Sequence, residues 1–179
     1  TFIHPYDDAR VVAGQGTAAL ELLEQVEGLD SILTPLGGGG LLSGACLAVA
    51  GVAPGVEVFG VEPAAADDAR RSLLAGEIIP SEDPETVADG LRTSLSPLTF
   101  GVIREHVAEV LTVEEVEIVA AMRLLWERTK LVVEASAAVV AAAVLSRAER
   151  FRGRRVGLVL SGGNVDHDRL QWLRAGRGQ

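Results

Sequence analysis

The sequence is poor in the side chains that most often do chemistry alone. Among 179 residues there is one cysteine, one lysine, one methionine and one tyrosine, with three histidines and 4% aromatics. The single cysteine, Cys46, excludes an internal disulfide and suits a reducing compartment, which sets the expectation of a cytoplasmic protein. It lies in an apolar run, where a small buried hydrophobe is the natural role. No stretch reaches the ~18 uninterrupted apolar residues of a membrane span. The first five residues lack the basic-then-apolar order of a signal peptide. Positive charge is scarce too. A net charge of −9 argues against nucleic acid and against anionic membrane as partners. Lys130 is the one lysine, and the other fifteen basic residues are arginine. The chain opens on Thr1 rather than methionine, so the start of the gene product is expected to be missing.

What the chain has in quantity is apolar residues, at 48%, and 20 glycines. That composition and length fit one well-packed globular domain. Four of the glycines are consecutive. A strand-like run with Ile32, Leu33 and Leu36 stops at Gly37-Gly38-Gly39-Gly40, and a small-residue, helix-like run from Leu41 to Ala50 follows. Four glycines lose much backbone entropy on folding, which a chain tolerates where the backbone makes a close approach or takes positive φ. A strand, a glycine turn and a helix start together offer free N–H groups and a positive dipole end to an anion. The functional reading is a phosphate cradle; the alternative is a tight turn with surplus flexibility. The spacing fits neither the dinucleotide GxGxxG pattern nor the Walker loop.

Short apolar strands alternate with amphipathic helices along the rest of the chain. Residues 6–10 read as a loop, and Gly14-Gln15-Gly16-Thr17 as the start of a helix with Leu20 and Leu23 on one face. Strands are predicted at Ser31 to Leu36 and at Val56 to Val61, then a short helix from Asp67 to Leu74. Glu77 to Ser96 is a long irregular connection around Ala88-Asp89-Gly90, of a length that is usually functional or mobile. A helix from Pro97 to His106 and a short strand from Ala108 to Leu111 follow. Thr112-Val113-Glu114-Glu115 reads as a capping box opening a long helix. Ala135 to Ser146 is apolar nearly all round, as a buried helix is. The arginines from Arg147 to Arg155 read as a solvated turn. Val156 to Leu160 is a strand of the continuous apolar kind found inside parallel sheets, with a last short helix around Leu170 to Leu173. The fold class is α/β: a three-layer, mostly parallel sheet with flanking helices. Such sheets bind ligands beyond the carboxyl ends of their strands. Gly37 to Gly40 and Ser161-Gly162-Gly163-Asn164 both fall there. A small phosphorylated ring held between them is the natural inference, and pyridoxal phosphate fits.

At this point the chain resembles the C-terminal half of a fold-type II pyridoxal-phosphate enzyme of the serine/threonine dehydratase and serine racemase family. The resemblance rests on six motifs in order: Ala13 to Thr17, Pro35 to Gly40, Glu62-Pro63, Ala88-Asp89-Gly90, Trp126-Glu127-Arg128 and Ser161 to Asp166. It implies a large domain of the tryptophan-synthase-β type over residues 13–179, with residues 1–12 ending the segment that joins a small domain. It also implies pyridoxal 5′-phosphate as cofactor: Gly37, Gly38, Gly39, Gly40 and the Leu41 amide on its phosphate, Ser161 on its ring nitrogen, Gly90 near the Schiff base and Glu134 close to the ring. A hydroxyl partner leaves that nitrogen largely neutral, which suits β-elimination better than transamination. Gly90 as a plain loop glycine and Glu134 as a helix cap are the competing readings.

By the same resemblance the Schiff-base lysine lies upstream of this sequence, and Lys130 is not it; this chain holds no catalytic residue of its own. Lys130 ends a long helix, where a cation is welcome. Glu62 and Asp68 stand six residues apart with carbonyls between them, an oxygen set that suits hard divalent cations. The serine racemase branch implies Mg²⁺, Mn²⁺ or Ca²⁺ on Glu62, Asp68 and the Ala66 carbonyl. The competing reading is an acidic helix start. Lys130 and Asn164 match nucleotide-effector positions of some relatives. The expected activity is threonine/serine dehydration, L-threonine or L-serine giving a 2-oxo acid and ammonium, in a homodimer or homotetramer. Serine racemase and 3-hydroxyaspartate dehydratase are the nearest alternatives, and a non-catalytic cofactor-binding or dimerisation fragment is the alternative from another class.

Overall fold

The computed structural model describes residues 3–170. Helix α1 (Ala9–Gln25) leads to strand β1 (Ser31–Pro35), helix α2 (Gly40–Val52) and strand β2 (Glu57–Pro63). Helices α3 (Asp68–Ala75) and α4 (Pro97–His106) precede strand β3 (Glu109–Val113). Helices α5 (Glu115–Thr129), α6 (Ala135–Ser146) and α7 (Ala148–Phe151) then lead to strand β4 (Val156–Leu158). Among the described residues the strands form a parallel sheet in the order β3-β2-β1-β4. Ser31 of β1 pairs with Glu57 on one side and Val156 on the other.

Period-2 alternation sorts the two faces of this sheet. Ile32, Leu36 and Val58 pack with Ala19, Leu42, Ala45 and Ile103, from α1, α2 and α4. Leu33, Phe59 and Val61 face the other way, onto Ile118 and Met122 of α5 and the alanines and valines of α6. The three-layer α/β architecture expected from the alternation of elements is therefore present. Helix α6 is apolar on every side because it lies between the sheet and α5.

Three local expectations need correction. Helix α1 starts at Ala9, not at the glycines, because the Asp8 carboxylate accepts the Arg10 N–H at 2.8 Å and caps it. Gly14 and Gly16 are interior, each costing about 1 kcal/mol of helix propensity against alanine. The gain at Gly16 is proximity: a Cβ there would lie 2.8 Å from the Gly44 carbonyl of α2. The start of α5 is shifted as well. Thr112 and Val113 remain in β3, and the Glu114 N–H donates to the Glu117 carboxylate at 2.9 Å. The arginine run is solvated at Arg150, Arg152 and Arg155 as expected, but it includes the short helix α7 and also pairs with the strand ends. Arg150 pairs with Glu109 at 2.6 Å, Arg154 with Glu57, and the Arg155 N–H with the Asp30 carboxylate at 2.6 Å. These bonds tie α7 and its exit to the amino ends of the strands. The helix placed around Leu170 to Leu173, with Trp172, lies outside the described residues beyond Leu170.

The α1–α2 contact predicts that Gly44→Ala lowers stability by about 2 kcal/mol or more through overpacking. Urea unfolding measures this; an unchanged midpoint would refute the close approach.

Candidate functional site

The chain runs β1 to β2 to β3 in one direction, its crossovers on the α2 and α4 face. It then crosses the opposite face through α5 and α6 and returns to the other side of β1 as β4. The crevice between β1 and β4 is thus a point of reversed strand order, where open α/β sheets bind ligands. Leu33 pairs with Leu158, and the Val159 N–H donates to the Leu33 carbonyl at 3.0 Å. Three residues further along each strand come Leu36 and Ser161. Both glycine turns therefore leave the sheet side by side.

The first turn is densely packed rather than loose, which removes the surplus-flexibility reading. A side chain at Gly37 would meet Thr93 Oγ1 at 2.8 Å and the Gly90 carbonyl at 3.3 Å. One at Gly38 would clash with the Tyr6 ring, and one at Gly40 would lie 2.9 Å from Tyr6 Cβ. Gly39, the N-cap of α2, has φ +90°, and a Cβ there would meet Thr99, Ile103 and Leu95 within 2.9 Å. From Gly38 to Leu42, no amide N–H meets an acceptor among the described residues; the first helical bond runs from Ser43 N–H to the Gly39 carbonyl at 2.8 Å. Unpaired amides and a positive helix end together fit a phosphate.

The other predicted residues converge on the same end of the sheet. The Gly90 N–H donates to the buried Ser136 Oγ at 2.9 Å, while its carbonyl borders Gly37. Gly90 is thereby held between α6 and the first turn. Glu134 precedes α6, but its carboxylate does not cap that helix. It accepts the Asn164 N–H at 2.7 Å and fills the space beside Gly162, and its own N–H donates to the Gly162 carbonyl at 3.1 Å. A cleft of about 760 Å³ opens beside these groups, lined among others by Asp89, Arg92, Glu115, Glu134 and Asn164. Lys130 takes no part in it. It is the exposed C-cap of α5 at φ +63°, with its Nζ donating to the Glu127 carbonyl at 2.6 Å.

Glu62 and Asp68 are 1% and 2% exposed at the carboxyl end of β2 and the start of α3. The Glu62 carboxylate accepts the N–H groups of Ala69 and Arg70 at 3.2 and 2.9 Å, so it does hold a helix start. Burial nevertheless dominates and pushes its carboxyl from 4.5 up to about 8, while burial pushes Asp68 up to about 6. Asp68 Oδ2 is buried with no hydrogen-bond partner among the described residues. Two carboxylates, one oxygen of them unpaired, are a donor set that fits a hard divalent cation. The described residues contain no cluster of three or more His, Cys, Asp or Glu side chains suited to a metal. A cation here would therefore also need a backbone carbonyl such as that of buried Ala66.

Sequence reasoning missed four contributors: Tyr6 over the first turn, Thr93 beside Gly37, Ser136 under Gly90, and Thr99. For Thr99 a local signal existed in Ser96-Pro97, a helix N-cap and N1 pair. The Ser96 hydroxyl accepts the Thr99 N–H at 3.2 Å as the start of α4.

Comparison with known proteins agrees with this geometry. Residues 1–162 match the family described as pyridoxal-phosphate dependent enzyme. A β-hydroxyaspartate dehydratase of Paracoccus denitrificans is 51% identical over 171 residues, covering 96% of this chain and 54% of that protein. A serine racemase of Dictyostelium discoideum is 51% identical over 169 residues, covering 92% and 52%. Among solved structures, a threonine deaminase of T.th. superposes with a TM-score of 0.89 at 51% identity, covering 92% of this chain and 62% of that one. The chain spans about half the length of the curated relatives it matches.

The buried carboxylates set a pH dependence. Between pH 4.5 and about 8 the folded chain holds the Glu62 proton that the unfolded chain has released. Stability should therefore fall as pH rises through that window in chelator. Thermal melting with EDTA and with millimolar Mg²⁺ measures this: Glu62→Gln should flatten the slope, and Mg²⁺ should raise the melting temperature at pH 8. No shift with metal would count against cation binding.

Proposed function

The chain belongs to the pyridoxal-phosphate-dependent enzyme family, and from that premise we propose that it forms the cofactor-holding half of a dehydratase acting on a small β-hydroxy amino acid, L-threonine or L-serine. The observation that carries this reading is the adjacency, at the reversal of strand order, of a glycine turn with unpaired amides and a second turn that begins with a serine hydroxyl. The cofactor, when bound, supplies an electron sink for the substrate's Cα, which makes loss of the α-proton and then of the β-hydroxyl feasible.

The chain's own residues bind and orient. The Gly38 to Leu42 amides, with the amino end of α2, take the phosphate charge, and Gly37 and Gly90 keep backbone rather than side chain against it. The Ser161 hydroxyl serves the ring nitrogen. A neutral hydrogen-bond partner holds no extra proton there, which favours elimination over transamination. Glu134 fixes the 162–164 turn that presents Ser161, through its bond to the Asn164 N–H.

A second reading is favoured by the Glu62–Asp68 pair and by the names of the relatives. In it the whole protein is a 3-hydroxyaspartate dehydratase or serine racemase that holds Mg²⁺, Mn²⁺ or Ca²⁺ on Glu62, Asp68 and the Ala66 carbonyl. Ammonia-lyase and racemase relatives of similar identity, 48% and 51%, support it equally.

Two measurements test these readings. The complete protein, given L-threonine, L-serine and threo-3-hydroxyaspartate in turn, should release 2-oxo acid fastest from one of the first two. Preference for the hydroxyaspartate, or accumulation of D-serine, would select the second reading, and no turnover of any would reject both. In the chain by itself, borohydride reduction with pyridoxal phosphate followed by peptide mapping should leave Lys130 unlabelled. Stoichiometric labelling there would overturn the assignment of the covalent centre to another part of the protein.

A further inference from the structure

We propose that Thr99 is the positioning residue of the glycine cradle: by holding the Gly38 carbonyl it aims the Gly39 N–H outward at the phosphate. The inference rests on the phosphate reading of that cradle and extends it to a residue on a different element. Thr99 is 0% exposed, in the first turn of α4, and its Oγ1 donates to the Gly38 carbonyl at 2.8 Å across 61 residues of sequence. A hydroxyl has one proton. The competing acceptors, the Ser96 carbonyl at 3.3 Å and the Ser96 hydroxyl at 3.2 Å, are both further away. The oxygen is itself engaged by the Ser96 N–H at 3.0 Å, so the hydroxyl cannot turn without losing a buried bond.

Peptide planarity carries the effect to the site. In a trans peptide the C=O and the following N–H point in opposite directions. Turning the Gly38 carbonyl inward, onto α4, therefore turns the Gly39 N–H away from α4. That N–H is one of the amides with no acceptor among the described residues. The surroundings make this orientation hard to lose while Thr99 is present. Gly39 packs on Thr99 Cβ at φ +90°, Tyr6 closes the opposite side over Gly38 and Gly40, and the Ser43 hydroxyl donates to the Thr99 carbonyl at 3.4 Å. Without the hydroxyl, no hydrogen bond holds the Gly38 carbonyl inward, and two glycines carry no Cβ of their own to oppose rotation of the peptide between them. A flipped peptide would present an oxygen to the anion.

The test compares binding of pyridoxal phosphate with binding of pyridoxal, which lacks the phosphate, by equilibrium dialysis on the full chain and its variants. Thr99→Val keeps the shape and removes the hydroxyl. It should weaken pyridoxal phosphate about tenfold and leave pyridoxal within about twofold. Thr99→Ser should restore the phosphate preference. Ser96→Ala removes the helix cap but keeps the Thr99–Gly38 bond, so it should lower the melting temperature and leave the preference intact. Equal binding of pyridoxal phosphate by Thr99→Val and the unaltered chain, or equal weakening of both ligands, overturns the proposal while leaving the cradle in place. An unaltered chain with no preference for the phosphorylated ligand overturns the cradle itself. If Thr99→Val fails to fold, amide exchange in the unaltered chain decides. The Gly39 amide should exchange freely and slow on adding inorganic phosphate; protection without phosphate overturns the assigned orientation.

Discussion

One peptide plane, between Gly38 and Gly39, has its carbonyl turned inward, which fixes the direction of the Gly39 N–H. Its carbonyl is bonded to Thr99, and its Cα atoms are covered by Tyr6 on one side and by Thr99, Leu95 and Ile103 on the other. The turn that looks most pliable in the sequence is tightly enclosed in the fold. Its glycines are needed because protein already occupies the space of every missing Cβ. A backbone whose conformation is settled beforehand leaves little ordering cost for any ligand that binds it.

The sheet separates two tasks along its length. At the amino ends of the strands, the Arg150 and Arg154 guanidiniums pair with Glu109 and Glu57, the Arg155 backbone N–H donates to the Asp30 carboxylate, and Arg150 also lies 4.9 Å from the centre of the Phe59 ring. These are stability contacts. At the carboxyl ends the polar groups are left unpaired or half-paired: the first-turn amides of α2, the Ser136 hydroxyl under Gly90, and Asp68 Oδ2. The division is not absolute, since Ser31 Oγ at the amino end of β1 is also buried without a hydrogen-bond partner among the described residues.

Much of this was legible because strong periodicity and strong breakers coincide. Ala135 to Ser146 is helical and buried as its composition dictates, and the four glycines end a strand where they should. Reading failed where a residue's partner is remote. Gly16 looked like a helix start because glycine breaks helices; its reason for being glycine is Gly44, in another helix. Thr99 and Tyr6 act on a turn 61 and about 32 residues away, and no local pattern announces such a bond. The Thr112–Glu115 box failed by two residues because Glu114 and Glu117 satisfy the same reciprocal rule two residues further along. For Glu62 the helix-start reading holds, and burial adds a second property to the same side chain. It caps a helix start, and it is a buried carboxylate beside another.

The return of β4 to the side of β1 bears on the order of assembly. The first glycine turn is enclosed mainly by residues from Tyr6 to Ile103, which precede the crossover, with Ser136 of α6 added behind Gly90. The second turn depends on the Arg155 N–H reaching Asp30, 125 residues earlier, and on residues 162–164 settling against Glu134. Contacts so distant in sequence form late, since the loop must close before they stabilise anything. A ligand that touches both turns therefore recognises the finished molecule and not its precursors. By mass action such a ligand would add stability to that state alone, so binding would report on completed folding.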